Sequence, residues 1–342
     1  MAGHGRGEGV EHGGRLADAR RRFPGAPEPF LDLSTGINPV PYPFDPLPPQ
    51  AFTRLPEPEE VLALQHAAAR AYGVADPAMV AAAPGTQLLI NLLPRLCPLR
   101  GVAVLGPTYA EHAAAWAAAG CTVTEVPAFE RLGALPGAVV CNPNNPDGRR
   151  TPVPALLALA GHLAARGGLL VVDEAFADLE GPGTSVAPLL PRPGLIVLRS
   201  FGKAYGLAGV RLGFALASPD LAGAIRDALG PWAVSGPALH VARRALADPA
   251  WKAATAERLR QEAAHLDGVL AGAGLRVLGG TSLFRLAEAE DAHAVFDRLG
   301  RAGILVRRFA GDPHRLRFGL PRDAEQSSRL ARALAGGDGA AA

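Results

Sequence analysis

Between residues 79 and 216, short apolar runs recur at 79–83, 102–105, 121–126, 138–141, 169–172, 195–198 and 212–216. Helical patterns lie between several of them, at 87–96, 110–119 and 154–166. A strand with one wet face alternates polar and apolar residues, so continuous runs fit strands buried on both faces. Strands interleaved with helices imply a mostly parallel sheet sandwiched by helices, an α/β architecture. Beyond Pro219 the texture changes. Long helical patterns continue to about Gly272, then strand-like segments at 275–278 and 283–286, a helix from Asp291, strands near 304–307 and 316–320, and a last helix over 323–334. This second set reads as a smaller α+β domain. Residues 1–55 form a Gly- and Pro-rich arm with apolar anchors at Phe30, Leu31, Leu33 and Ile37. The expected organisation is therefore an arm over 1–55, a large domain over 56–218 and a small domain over 219–342.

Several classes drop out early. The formal net charge is +2 and no basic block is long enough for nucleic-acid binding. No apolar run approaches the ~18 residues a membrane span needs. The charged, Gly-rich first residues lack the apolar core of a signal peptide, and the three cysteines lack paired spacing. The expectation is a soluble cytoplasmic protein.

Composition sharpens the chemistry at one point. Of 34 Lys plus Arg residues only Lys203 and Lys252 are lysines, so chemistry that needs a primary amine has two side-chain candidates. Lys203 follows a buried run directly and sits among Gly202, Gly206, Gly209 and Gly213, which let a backbone approach a bound group closely. A second core-like run follows at 212–216. A lysine in that setting reads as a Schiff-base nucleophile, because desolvation favours the neutral amine. Lys252, on an Ala-rich helical face, reads as a surface residue.

Three further motifs stand beside it. Asp173, in Val-Val-Asp-Glu-Ala-Phe, closes a buried strand where open α/β sheets place their ligands. It suits a metal ligand, a general base, the partner of a pyridinium nitrogen, or a strand-end cap. No histidine lies near it in sequence to complete a metal set, so no metal is expected. Cys141-Asn-Pro-Asn-Asn-Pro-Asp-Gly is a rigid turn after a strand, able to aim an Asn at a ligand. Ala83-Pro-Gly-Thr-Gln runs from a strand through Gly85 into a helix, a ready anion site.

The joint order of Gly-Thr, Tyr109 after Pro-Thr, Asn-Pro-Asn-Asn-Pro, Asp-Glu-Ala-Phe, Ser-Phe-Gly-Lys and a downstream Arg resembles the fold-type I pyridoxal-phosphate enzymes. The branch is the one that holds histidinol-phosphate aminotransferases and threonine-phosphate decarboxylases. The resemblance runs from about His12 to Arg317. It implies pyridoxal 5'-phosphate as cofactor, with Lys203 as the catalytic residue that binds it covalently. It implies that Asp173 pairs with the ring nitrogen, Asn145 donates to the ring 3-oxygen and Tyr109 stacks on the ring. Gly85 and Thr86 would offer N–H groups to the cofactor phosphate, with Ser200 and Arg211 completing the cradle. It further implies a homodimer and a small phosphorylated amino-acid substrate, with no nucleic acid and no membrane as partners.

Within that branch the residues lean one way. Phe176 stands where many aminotransferases of this fold carry a Tyr, and Leu55 stands where they carry a Tyr that reaches the neighbouring subunit. The His12-Gly13 pair and Gly36, in Leu31-Asp-Leu-Ser-Thr-Gly-Ile-Asn-Pro, look like the decarboxylase N-terminus, where they close on the substrate. Arg307 matches the arginine that holds the substrate phosphate, and Arg317 the one that binds the α-carboxylate. The implied activity is decarboxylation of L-threonine O-3-phosphate for cobalamin biosynthesis, the alternative being transamination of histidinol phosphate. Cys97, Cys121, Cys141, Trp116 and Trp251 are expected to pack in the core, and so is Trp232, for which the alternative is a place at the mouth of the active site. His314, between the two arginines, is a lesser candidate for substrate contact.

Overall fold

The computed structural model describes residues 13–309 and 311–336. The elements run α1 (Leu16–Arg22), β1 (Leu31–Leu33), α2 (Gln50–Thr53), α3 (Pro58–Tyr72), β2 (Val80–Ala83), α4 (Thr86–Leu96), β3 (Gly101–Leu105) and α5 (Glu111–Ala118). Then come β4 (Thr122–Val126), β5 (Gly137–Cys141), α6 (Val153–Ala164), β6 (Leu169–Asp173), β7 (Leu195–Ser200), the single-turn α7 (Phe201–Ala204) and β8 (Gly213–Leu216). The chain closes with α8 (Pro219–Leu229), α9 (Gly236–Leu246), α10 (Pro249–Gly272), β9 (Arg276–Thr281), β10 (Phe284–Glu288), α11 (Ala292–Arg301), β11 (Ile304–Phe309), β12 (Asp312–Gly319) and α12 (Ala324–Leu334).

Two compact units result. One comprises Ile37–Gln261 and Gly280–Leu283, the other the remaining segments 13–36, 262–279 and 284–336. This division differs from the sequence boundaries at 55/56 and 218/219. The reason lies in packing. Helix α8 packs on β2 and α9 on α3, which keeps both with the large sheet. Residues 31–33 of the arm become β1, a parallel neighbour of β11, with Leu31 opposite Ile304 and Leu33 opposite Val306.

The larger unit holds a seven-stranded sheet in the order β2-β8-β7-β6-β5-β3-β4. Its strands β7, β6, β5, β3 and β4 are parallel, and β8 runs antiparallel between β7 and β2. The continuous apolar runs do what their pattern requires: every residue of β2, β3, β5, β6, β7 and β8 is buried. On one face Leu89, Ile90 and Leu93 of α4, Trp116 of α5 and Ile225 of α8 meet Val104, Val139, Val171, Ile196 and Leu198 in one core. Each such side chain contributes about 1.5–3 kcal/mol when fully buried. Strand β4 departs from the expectation of burial on both faces. It lies at the sheet edge, and Thr122, Thr124 and Glu125 are exposed.

The second unit holds the order β1-β11-β12-β10-β9. Helix α11 packs on β11, and its Val295, Phe296 and Leu299 are buried. Among the described residues no helix is long and apolar enough to cross a membrane.

Candidate active site

The parallel strands of the large sheet end side by side. Cys141, last in β5, lies in register with Asp173, last in β6. Asp173 is paired in turn with Leu198 of β7, two residues before Ser200. Three candidate positions therefore meet at the carboxyl edge of one sheet, the usual ligand edge of this architecture.

Asp173 is buried and engaged. Its Oδ1 accepts the Ala175 N–H at 3.0 Å, and its Oδ2 lies 2.8 Å from Nε2 of His112. Burial favours the neutral acid, but the His112 bond and charge, the Lys203 charge and the Ala175 N–H outweigh it and hold the carboxyl below its ordinary range. Burial also opposes charge on His112. The Cys141 sulfur and Asp173 overcome that opposition and push the imidazole up to about 10. The ligand atoms of His112, Cys141 and Asp173 all lie within 4.8 Å of one another. The result is a fixed carboxylate backed by an imidazolium. Sequence reasoning missed His112, because its partner lies 61 positions away. The available signal was its place three residues after Tyr109.

Helix α4 starts at Thr86 behind Gly85, whose φ is +88°. A Cβ on Gly85 would stand 2.7 Å from Arg211 Nη2, and one on Gly213 would stand 2.6 Å from the Thr86 nitrogen. Only glycines let the guanidinium and the helix start come together. Arg211 itself adopts a left-handed φ of 56°, uncommon for a residue with a Cβ, and its Nη1 donates to the Ala208 carbonyl at 3.1 Å. A guanidinium beside open helix N–H groups is an anion cradle.

Lys203 sits on α7, half-buried, with Nζ 3.4 Å from Ser200 Oγ and 4.9 Å from the centre of the Phe176 ring. The arm holds this turn in place. Asn38 N–H donates to the Lys203 carbonyl at 2.9 Å, Asn38 Nδ2 to the Ala204 carbonyl at 2.9 Å, and Tyr42 N–H to the Tyr205 carbonyl at 2.8 Å. Asn38 is buried, a role that spacing did not reveal.

The asparagine turn divides its labour. Asn142 accepts the Thr151 N–H, while Asn144 accepts from Thr108 Oγ at 2.6 Å and donates to the Pro107 carbonyl and to Asp147. Asn142 and Asn144 thus help hold the loop, and Asn145 is half-buried at its tip. Tyr109 donates its hydroxyl to Gln87 Oε1 at 2.9 Å, and its ring meets the His112 ring edge-on at 6.2 Å.

Behind Asp173 lies a second charged cluster. Arg199 donates to Glu174 at 2.7 Å and to Asp178 at 2.5 Å, with its guanidinium 4.5 Å from the centre of the Tyr72 ring. Burial lowers the pKa of Arg199, but the two carboxylates raise it above the ordinary arginine value.

The other unit carries its own site. Arg307 of β11 and Arg317 of β12 are cross-strand partners. Arg317 is buried, donates to the Ser34 carbonyl at 2.9 Å, and lies 5.0 Å from the centre of the Phe284 ring. Burial and the Arg307 charge, opposed by Asp32, push its pKa down to about 10. Ser34 Oγ donates to Asp32 at 2.6 Å and accepts the Gly14 N–H at 2.7 Å. A Cβ on Gly13 would collide with the Ser34 carbonyl, so the Gly13-Gly14 pair fits against Ser34 for lack of side chains. Gly36 is buried and His12 lies outside the described residues. Arg308 faces the other way, over Phe296 at 5.2 Å.

Other expectations need correction. Trp232 is 58% exposed and has a φ of 59°, so it is not a core residue. Lys252 is half-buried, and burial lowers its pKa. Cys121 and Cys141 are buried and Trp116 is in the core, whereas Cys97 is only half-buried. Trp251 stacks on Tyr205 at 5.4 Å. Leu55 is exposed, and His314 is exposed with Nδ1 2.9 Å from the Glu290 carbonyl.

A carboxylate at the end of β6, a lysine after β7 and an anion cradle at the start of α4 define the fold-type I pyridoxal-phosphate architecture. The chain belongs to the aminotransferase class I and II family, whose model matches residues 48–334. It is 48% identical to a threonine-phosphate decarboxylase of Sinorhizobium sp., over 95% of this chain and 98% of that one. It is 45% identical to a threonine-phosphate decarboxylase of Pseudomonas aeruginosa, over 96% and 98%. A histidinol-phosphate aminotransferase of Sinorhizobium meliloti, solved in complex with pyridoxal-5'-phosphate, shares the fold with a TM-score of 0.81 at 24% identity, covering 98% of each chain.

Proposed function

We propose that this protein decarboxylates L-threonine O-3-phosphate to (R)-1-amino-2-propanol O-2-phosphate and CO₂, the aminopropanol unit of cobalamin. The observation that carries this reading is the identity of 48% and 45%, end to end, with two threonine-phosphate decarboxylases. Phe176 agrees with it, since no hydroxyl stands at that position beside Lys203.

Pyridoxal 5'-phosphate is the cofactor, and the residues fit it. The space that two absent Cβ atoms leave between Thr86 N–H and Arg211 suits its phosphate. The buried, ionised Asp173 suits a protonated ring nitrogen. Lys203 would hold the cofactor covalently. Gly85, Thr86, Ser200 and Arg211 would bind its phosphate, Tyr109 would cover its ring, and Asn145 would donate to its 3-oxygen. When bound, it supplies an electron sink for the pair that stays behind as CO₂ departs.

The chain's own residues do the rest. Asp173 stays ionised because His112 backs it. Arg307, with Gly13 and His12, binds the substrate phosphate, while Arg317 binds the α-carboxylate beside Gly36. Holding both anionic ends fixes rotation about Cα, and that rotation decides whether carboxylate or proton leaves. Lys203 would be free as an amine while substrate occupies the site and would take the cofactor back as the product amine departs. The working form is a cytoplasmic homodimer.

Incubating purified protein with threonine phosphate and no keto acid should release CO₂ and aminopropanol phosphate. Turnover that appears only with 2-oxoglutarate would overturn the reading. As a separate check, Lys203→Ala should abolish the visible absorbance of lysine-bound cofactor, and Lys252→Ala should retain it.

A further inference from the structure

We propose that Gln87 is a positioning residue that sets the angle of the Tyr109 ring; the inference rests on the reading of Tyr109 as the residue that covers the cofactor. Gln87 is the second residue of α4, next to Thr86 in the anion cradle. Its carboxamide lies between two side chains of the segment that opens α5. Tyr109 donates to Oε1 at 2.9 Å, and Nε2 donates to Glu111 Oε2 at 3.1 Å and to Asn91 Oδ1 at 3.3 Å.

Glu111 decides which way the amide faces. An ionised carboxylate only accepts, so Nε2 must turn toward it and Oε1 is left for Tyr109. The phenol must then be the donor. Its one proton is committed to Gln87, so Tyr109 serves the site as an aromatic surface and not as an acid. The same ring and the His112 ring form a T-shaped pair, centroids 6.2 Å apart at 84°, and His112 in turn holds Asp173. A tyrosine has only two side-chain torsions, and a contact at the hydroxyl tip combined with one at the ring restrains both. The helix that offers the phosphate cradle therefore also sets the surface that covers the ring.

Gln87→Leu keeps the size of the side chain and deletes the bond. In the holoenzyme it should weaken pyridoxal-phosphate binding about threefold to tenfold, the worth of one neutral hydrogen bond. It should also reduce the circular dichroism of the cofactor band. Tyr109→Phe should do the same from the other side, and the double variant should lose no more than either single one. Losses that multiply in the double variant, or a wild-type dissociation constant and dichroism in either single variant, would overturn the proposal. Tyr109→Ala separates the two layers of argument. If it leaves the cofactor band untouched, the covering role falls and this inference with it. If it alters the band while Gln87→Leu does not, only the role of Gln87 falls.

Discussion

Two buried arginines, one in each unit, titrate in opposite directions. Arg199 is 3% exposed and Arg317 is 7% exposed, so burial alone does not separate them. Arg199 is gripped by Glu174 and Asp178, and its pKa rises. Arg317 has Arg307 opposite it on the neighbouring strand, and its pKa falls to about 10. A buried cation that already holds two carboxylates belongs to the fold. One that faces another cation across a strand pair, with only Asp32 raising its pKa, is held less firmly as a cation. The site over Asp173 is the reverse case, because His112 neutralises that carboxylate within the protein.

This contrast can be broken by experiment. The largest effect should come from Arg199→Leu, which strands two buried carboxylates and should cost about 3–5 kcal/mol in urea unfolding. A stability equal to wild type would mean that the Arg199 pairs with Glu174 and Asp178 do not hold the fold. Arg317→Leu should do the opposite. Stability should hold or rise, while kcat/KM for threonine phosphate falls by about 2–5 kcal/mol of lost charge pairing. A stability loss as large as that of Arg199→Leu would make Arg317 structural.

Titration sharpens the same comparison. The folded pKa of His112, about 10, lies above its unfolded value of 6.5. Its contribution is therefore fully present below pH 6.5 and lost as pH rises toward 10. Denaturant midpoints should fall across that window, and His112→Asn should flatten the slope. Arg317 has the opposite sign, since its folded pKa lies below its unfolded value of 12.5. Above pH 10 the unfolded chain binds the extra proton, so this group favours folding as pH rises while its hold on an anion weakens. Arg307→Leu should weaken substrate binding overall, since the phosphate loses its partner, and should move the alkaline limb of the remaining binding to higher pH by removing the like charge beside Arg317. The smallest effect belongs to Arg308→Ala, which loses a cation–π contact with Phe296 worth about 0.5–1 kcal/mol. Its kcat/KM should match wild type.

The elements of the large sheet were legible because burial on both faces writes itself as an unbroken apolar run. The strand limits in β5 and β6 came within one residue of expectation for that reason. Strand β4 was misread as one of these runs, since Cys121-Thr-Val-Thr-Glu-Val alternates apolar and polar residues, the pattern of a strand with one wet face, and it lies at the edge. Lys203, Asp173 and the Gly85-Thr86 turn were legible because each is local, a residue placed at the end of a strand or the start of a helix. His112 and Asn38 were not. Each acts through a bond to a residue far along the chain, His112 to Asp173 and Asn38 to Ala204.

The same division separates the two lysines and the two arginines. Sequence alone determined that only position 203 or 252 could supply an amine and that position 203 has the glycine-rich setting for it, because local chain geometry is written in neighbouring residues. It did not determine that Lys252 would be half-buried or that Trp232 would be exposed. Nor did it determine that Arg199 would meet two carboxylates while Arg317 met another arginine. Only the tertiary structure decided those points, since a charge's state depends on what lies within a few ångströms of it, and sheet register and helix packing bring those groups together from distant parts of the chain.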